Sequence, residues 1–268
     1  MRKKLLSLAA LCLGLAAPLA AEPAEDALAV EVLPGWRLAD GTHVAGIRLR
    51  LAPGWKTYWR APGDAGIPPS FDWQGSRNVG SVQLGWPTPH VFEQNGMRSV
   101  GYSGDVVWPV IIQPARPGQP VALSAEIDLG VCKDVCVPRM VQFRAELPAG
   151  GTRPDPRIAA ALAEQPYSRA EAGVKSATCA LAPDAEGVKI TATIRMPSTG
   201  AGEAAVIEAG NPNIWVSEPE IRRSGDTLVA TARMEHVAGG PLAIDREALR
   251  ITVIGGSYAV DIPGCPAG

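Results

Sequence analysis

Cys132 and Cys136 stand four positions apart in Asp128-Leu129-Gly130-Val131-Cys132-Lys133-Asp134-Val135-Cys136-Val137-Pro138, the one local cysteine pair of the chain. Two sulfurs at that offset can meet disulfide geometry across a tight turn or one helical turn, since either brings the Cα atoms to about 5–6 Å. Such a couple can pass electrons by thiol–disulfide exchange, in which one thiolate attacks and the other sulfur resolves the mixed disulfide. Lys133 would favour a neighbouring thiolate and Asp134 would oppose it, so no direction for the thiol pKa follows. Nor is this the Cys-x-x-Cys of a helix start, because the surrounding pattern is β. The competing reading is an inert disulfide across a hairpin.

The N-terminus bears on the redox setting. Arg2-Lys3-Lys4, an apolar run from Leu5 to Leu15 and small residues up to Ala21 predict a secretory signal peptide over 1–21. Leu11 precedes Cys12 where a lipoprotein would need a small residue. Export leaves Cys132, Cys136, Cys179 and Cys265, for which three pairings are possible. The favoured one joins 132 to 136 and 179 to 265. In the chain-entropy model a loop of about 87 residues stabilises by roughly 4.6 kcal/mol, and one of about five by only about 2 kcal/mol. The long bond reads as a staple and the short one as chemistry.

The elements that must position the couple are strands. Val121, Leu123, Ala125, Ile127 and Leu129 alternate with polar or small residues and run into the cysteines. Val141, Phe143, Ala145 and Leu147 predict the return strand, which places the couple at a turn. The 29 glycines, 25 prolines and many short alternating runs extend this to an all-β chain. Residues 61–69 and 87–104 read as irregular segments, the second carrying His90, Phe92 and Met97. Pro109 puts the strand over 106–113 at an edge or a bulge. Asp155-Pro156 predicts a short helix through Gln165, ended by Pro166. Beyond it the β pattern resumes and includes a hairpin around Gly255-Gly256.

About 247 residues after the leader exceed one typical domain. The expected fold is two β-sandwich domains joined by a linker with a short helix: 22–148, a linker over 149–173, and 174–268. Lys+Arg number 25 against 27 Asp+Glu, a net charge of −2 that becomes −5 without the three basic leader residues. With no basic cluster in the remainder, neither nucleic acid nor an anionic membrane surface is expected as a partner. No later apolar run reaches membrane-spanning length, so no direct membrane insertion is expected.

Two rivals use other chemistry. The same thiolates with Met140, Met97 or His90 could hold Cu(I), whereas zinc lacks four ligands at paired spacing. A non-catalytic interaction module, in which the second sandwich matters most, is the other. His43, His90 and His236 show no ligand spacing and read as surface or loop residues. Phosphate-binding glycine loops, Gly-x-Ser-x-Gly and His-Glu-x-x-His are absent. The tryptophans at 55, 59, 73 and 86 read as core. No metal or other cofactor is assigned.

Four segments taken together resemble a known family: Gly-Trp-Lys-Thr-Tyr-Trp-Arg (54–60), Pro-Gly-Asp-Ala-Gly (62–66), Gly-Tyr-Ser-Gly-Asp-Val-Val-Trp-Pro-Val (101–110) and Val-Cys-Lys-Asp-Val-Cys-Val-Pro (131–138). The set is similar to the periplasmic N-terminal domain of the thiol:disulfide interchange protein DsbD, especially its ScsB-like branch tied to copper tolerance, over roughly residues 30–145. The resemblance implies an immunoglobulin-like domain in the periplasm. Its couple, Cys132 and Cys136 here, would take electrons from a membrane-embedded DsbD-like donor and hand them to periplasmic thioredoxin-fold proteins. It also implies a cap over the couple, which falls on Phe92 and Met97. DsbD itself spaces its cysteines further apart, and these 268 residues do not include that family's membrane domain, so the couple is expected either to work in trans with a donor on another chain or to have been repurposed.

Overall fold

The computed structural model describes residues 27–268 apart from Ala65, Asn95, Gly151, Thr152 and Glu186. The signal peptide expected over 1–21 lies outside the described residues. Among the described residues the regular structure is β apart from one helix, arranged as two halves of paired sheets.

In the first half, β1 (Leu28–Arg37), β2 (His43–Leu51), β8 (Asp105–Gln113) and β5 (Ser81–Leu84) form one sheet in that order. The second sheet runs β10 (Cys136–Leu147), β9 (Val121–Cys132), β3 (Lys56–Tyr58), β7 (Met97–Ser103), β6 (His90–Gln94), with β4 (Ser70–Asp72) also paired to β9. Between them lies a core built on Ile47, Leu49, Trp59, Trp108, Ile112 and Ile127. The alternation read in β9 is the one observed. Val121, Leu123, Ala125, Ile127, Leu129 and Val131 are all buried, as a strand with one face on a core requires.

Four local readings change. Residues 87–104 are not wholly irregular: β6 and β7 form a hairpin that turns at Gly96, whose φ is +76°. β8 is interior to its sheet, yet Pro109 costs no ladder bond to β5, because that pairing begins only at Val110. His43 is fully buried, not a surface residue. A register shift in β1 between Leu33 and Trp36 lets the Pro34 carbonyl meet its Nε2 at 2.6 Å, and burial lowers its pKa. The helix, α1 (Pro156–Ala163), capped by Asp155, packs its buried Ile158 on Leu33, Trp36, Val44 and Val107. It therefore covers the first half instead of standing free as a linker.

The second half pairs β11 (Tyr167–Ser168), β19 (Ala259–Pro263), β18 (Arg250–Ile254) and β14 (Ala204–Glu208) in one sheet. The other holds β12 (Ser176–Asp184), β13 (Gly187–Arg195), β17 (Thr227–His236), β15 (Ile214–Val216) and β16 (Glu220–Ser224). Cys179 and Cys265 are joined by a disulfide in its core, with Cα atoms 5.5 Å apart. The halves meet through Ile254 and Ala259, which pack on the first core. Arg60 reinforces the contact: its guanidinium donates to both carboxylate oxygens of Glu208, at 3.0 and 2.9 Å, and lies 3.4 Å from Asp261.

Candidate functional site

The couple sits where β9 hands over to β10. The register places Cys136 directly opposite Cys132, and the two are disulfide-bonded with Cα atoms 4.1 Å apart. Lys133, Asp134 and Val135 make the connecting loop, in which the Lys133 N–H donates to the Val135 carbonyl at 3.3 Å. All three are exposed, Val135 to 72%.

On the other side of β9 runs β3, with Lys56 opposite Cys132 and Thr57 opposite Val131. Side chains alternate along each strand, so Lys56, Tyr58, Gly130 and Cys132 share one face of the sheet, away from the core. The Thr57 hydroxyl fastens the two strands by donating to the Gly130 carbonyl at 2.8 Å. Glycine at 130 is required by close approach. A Cβ there would stand 2.9 Å from the Ile67 Cβ and 3.0 Å from two Tyr58 ring carbons.

That approach brings the Tyr58 hydroxyl to 2.9 Å from the Cys132 sulfur and 3.0 Å from the Cys136 sulfur. A disulfide carries no proton, so the phenol is the donor. Tyr58 is buried, and burial pushes its pKa up, which keeps that proton in place at neutral pH. The two sulfurs differ in access: Cys132 is 1% exposed, whereas Cys136 is exposed. An incoming thiolate therefore meets Cys136 first. Lys56 adds a cation on the strand beside Cys132, with its pKa lowered by burial.

The residues expected as a cap lie further off. Phe92 is on β6, at the far edge of the sheet from β10, and its ring receives the Lys56 ammonium 5.4 Å from the centroid. The same ammonium donates to the Ser99 hydroxyl at 3.2 Å. Met97 begins β7 and is 57% exposed. Phe92 meets the couple's surroundings through Lys56, and the loop after β3 touches Tyr58 and Gly130 through Gly66 and Ile67. His90 faces Phe92. Met140 is exposed on β10, roughly 13 Å along the strand from Cys136 at about 3.3 Å per residue. Neither is gathered around the sulfurs.

Tyr58, Lys56 and Ile67 were not singled out from sequence. The signal that could have found Tyr58 is its place in the Trp-Lys-Thr-Tyr-Trp strand, where Trp59 must take the core face and leave Tyr58 the opposite one.

Residues 22–148 match the family described as "Thiol:disulfide interchange protein DsbD, N-terminal". This segment belongs to the DsbD N-terminal family. The family is one of thiol–disulfide exchange, and its domain is periplasmic. Comparison with curated proteins gave no match. Among solved structures, the N-terminal periplasmic domain of ScsB from Proteus mirabilis is similar, with a TM-score of 0.69 and 21% identity over 92% of this chain and 97% of that one. At that identity the likeness speaks for the fold, and it spans both halves. The all-β, immunoglobulin-like sandwich architecture expected from sequence is the one found. Among the described residues no helix is long and apolar enough to cross a membrane.

Proposed function

We propose that this chain is a thiol–disulfide electron relay of the periplasm, working through Cys132 and Cys136. A membrane-embedded DsbD-like donor supplies the electrons and thioredoxin-fold proteins receive them. The observation that carries this reading is the unequal exposure of two bonded sulfurs that share one phenolic hydrogen bond. A donor thiolate attacks the exposed Cys136 sulfur and breaks the bond, and the electron pair leaves on Cys132, where the Tyr58 O–H is already aimed. The donor's second thiol then attacks the mixed disulfide and releases Cys136. Two electrons and two protons have moved, leaving a dithiol here and a disulfide on the donor. In the second half-cycle the Cys136 thiolate attacks the acceptor's disulfide. Cys132, buried directly behind, resolves the mixed disulfide and frees the reduced acceptor.

The two domains carrying this activity are 22–148 and 174–268, the first holding the couple and the second stapled by Cys179–Cys265. Phe92 serves as a shield by holding Lys56 beside Cys132, and Met97, exposed where β7 begins, stands at the rim of the same hairpin. Trapping tests the order of events. A Cys132→Ser chain keeps the attacking sulfur without its resolver and should accumulate mixed disulfides with exported thioredoxin-fold proteins. Cys136→Ser should accumulate few. Equal trapping by both variants, or by neither, would contradict the assignment.

A further inference from the structure

We propose that the cleft between the two halves is a second binding site, one that takes an extended, lysine- or arginine-bearing segment of the polypeptide exchanging at Cys136. The occupant's identity rests on the exchange reading; the site itself does not. The cleft encloses about 540 Å³, within the ~300–1,000 Å³ usual for ligand sites.

Two of its walls are the edges of β14 and β15, each continued by the loop residues that follow. Residues 205–209 line it one after another, and so do residues 214–219. A strand that presents a face contributes alternate residues, so an unbroken run marks an edge. Among the described residues β14 pairs only with β18, and β15 only with β17. Open edges of this kind pair with the main chain of an extended peptide. Val237, 62% exposed, and Trp215 add apolar surface for its side chains.

The cleft is continuous with the redox site. Gly66 and Pro68 line it. A Cβ on Gly66 would lie 2.9 Å from the Tyr58 ring, and Ile67 between them packs on Gly130. One loop thus borders the cleft on one side and the phenol over the sulfurs on the other, so a single polypeptide can occupy both.

Charge selects the occupant. Arg60 is shared between Glu208 and Asp261, and Arg98 between Glu93 and Glu218. Asp64, on the loop, is exposed and has no ion pair among the described residues. The excess is negative and complements a basic side chain.

The test titrates the oxidised chain with two capped pentapeptides, Ala-Lys-Val-Lys-Ala and Ala-Glu-Val-Glu-Ala, followed by amide NMR shifts. The lysine peptide should shift residues 205–209 and 214–219 and bind at least about tenfold more tightly than the glutamate peptide. Asp64→Lys combined with Glu218→Gln, both at exposed positions, should weaken the lysine peptide about tenfold and leave the dispersion of the spectrum intact. Equal binding of the two peptides, shifts elsewhere, or an unaffected double variant would overturn the proposal. Exchange of the reduced chain with glutathione disulfide is read in parallel and should be unchanged in the double variant. Its loss in the unmutated chain would remove the exchange reading alone, while its presence without peptide binding would remove the cleft alone.

Discussion

Tyr58→Phe isolates the contribution of one oxygen atom. The ring and its packing on Gly130 and Ile67 remain, and only the donor 2.9 and 3.0 Å from the two sulfurs is lost. A hydrogen bond to a charged group is worth about 1.5–3 kcal/mol, and about 1.36 kcal/mol corresponds to one pKa unit. Removing the phenol should therefore raise the pKa of the thiol it serves by about 1–2 units. Disulfide sulfur is a weak acceptor, so the loss falls on the reduced, ionised form. Destabilising that form makes the potential more negative, by about 30–60 mV above the thiol pKa. The assay is the rate of alkylation of the reduced chain by iodoacetamide as a function of pH, with Cys132→Ser and Cys136→Ser backgrounds to assign each inflection. A shift below about 0.3 unit in both backgrounds would mean the phenol does not hold a thiolate, and the role given to Tyr58 would fall.

Three further outcomes follow from the geometry. Gly130→Ala forces its new methyl against Ile67 and the Tyr58 ring, and should cost about 1–3 kcal/mol in urea unfolding while slowing exchange; unchanged stability and rate would show that the loop yields freely. Replacing Cys179 and Cys265 together by alanine opens a closure with a sequence separation of 86, and should lower unfolding free energy by about 4–5 kcal/mol without altering the exchange rate; a loss under about 1 kcal/mol would deny the staple. Arg48, hydrogen-bonded to Asp105 at 2.9 Å, holds that carboxyl below its ordinary range. A depressed folded-state pKa gives stability that is complete above the unfolded value near about 3.9 and lost as pH falls through the folded one. Asp105→Asn should accordingly flatten the acid limb of stability below about pH 4, and an identical limb would refute the pairing.

Much of the couple's framework was legible because it is local. β9 alternates strictly, β10 answers it, and a three-residue connection leaves two cysteines opposed. What surrounds the couple was not legible, because it depends on register between segments far apart in the chain. Tyr58 stands over Cys132 only because Lys56 pairs with Cys132 across β3 and β9, a separation of 76 residues that no local pattern encodes. The same holds for Ile67, placed by a loop without regular structure. Phe92 was sought as the shield because an aromatic in that segment resembled the family's cap. Its strand completes the far edge of the sheet, and its ring receives the Lys56 ammonium, a contact set by pairing between distant segments. His43 reads as a solvated histidine until the shift in β1 delivers a carbonyl to it.

The most direct test of the central claim is the midpoint potential of the Cys132–Cys136 bond against glutathione buffers. A working relay must open and close within reach of its partners, so the value should lie above about −300 mV, the level below which structural disulfides resist reduction. A potential below that mark would contradict exchange and leave the couple as an inert clasp across a hairpin.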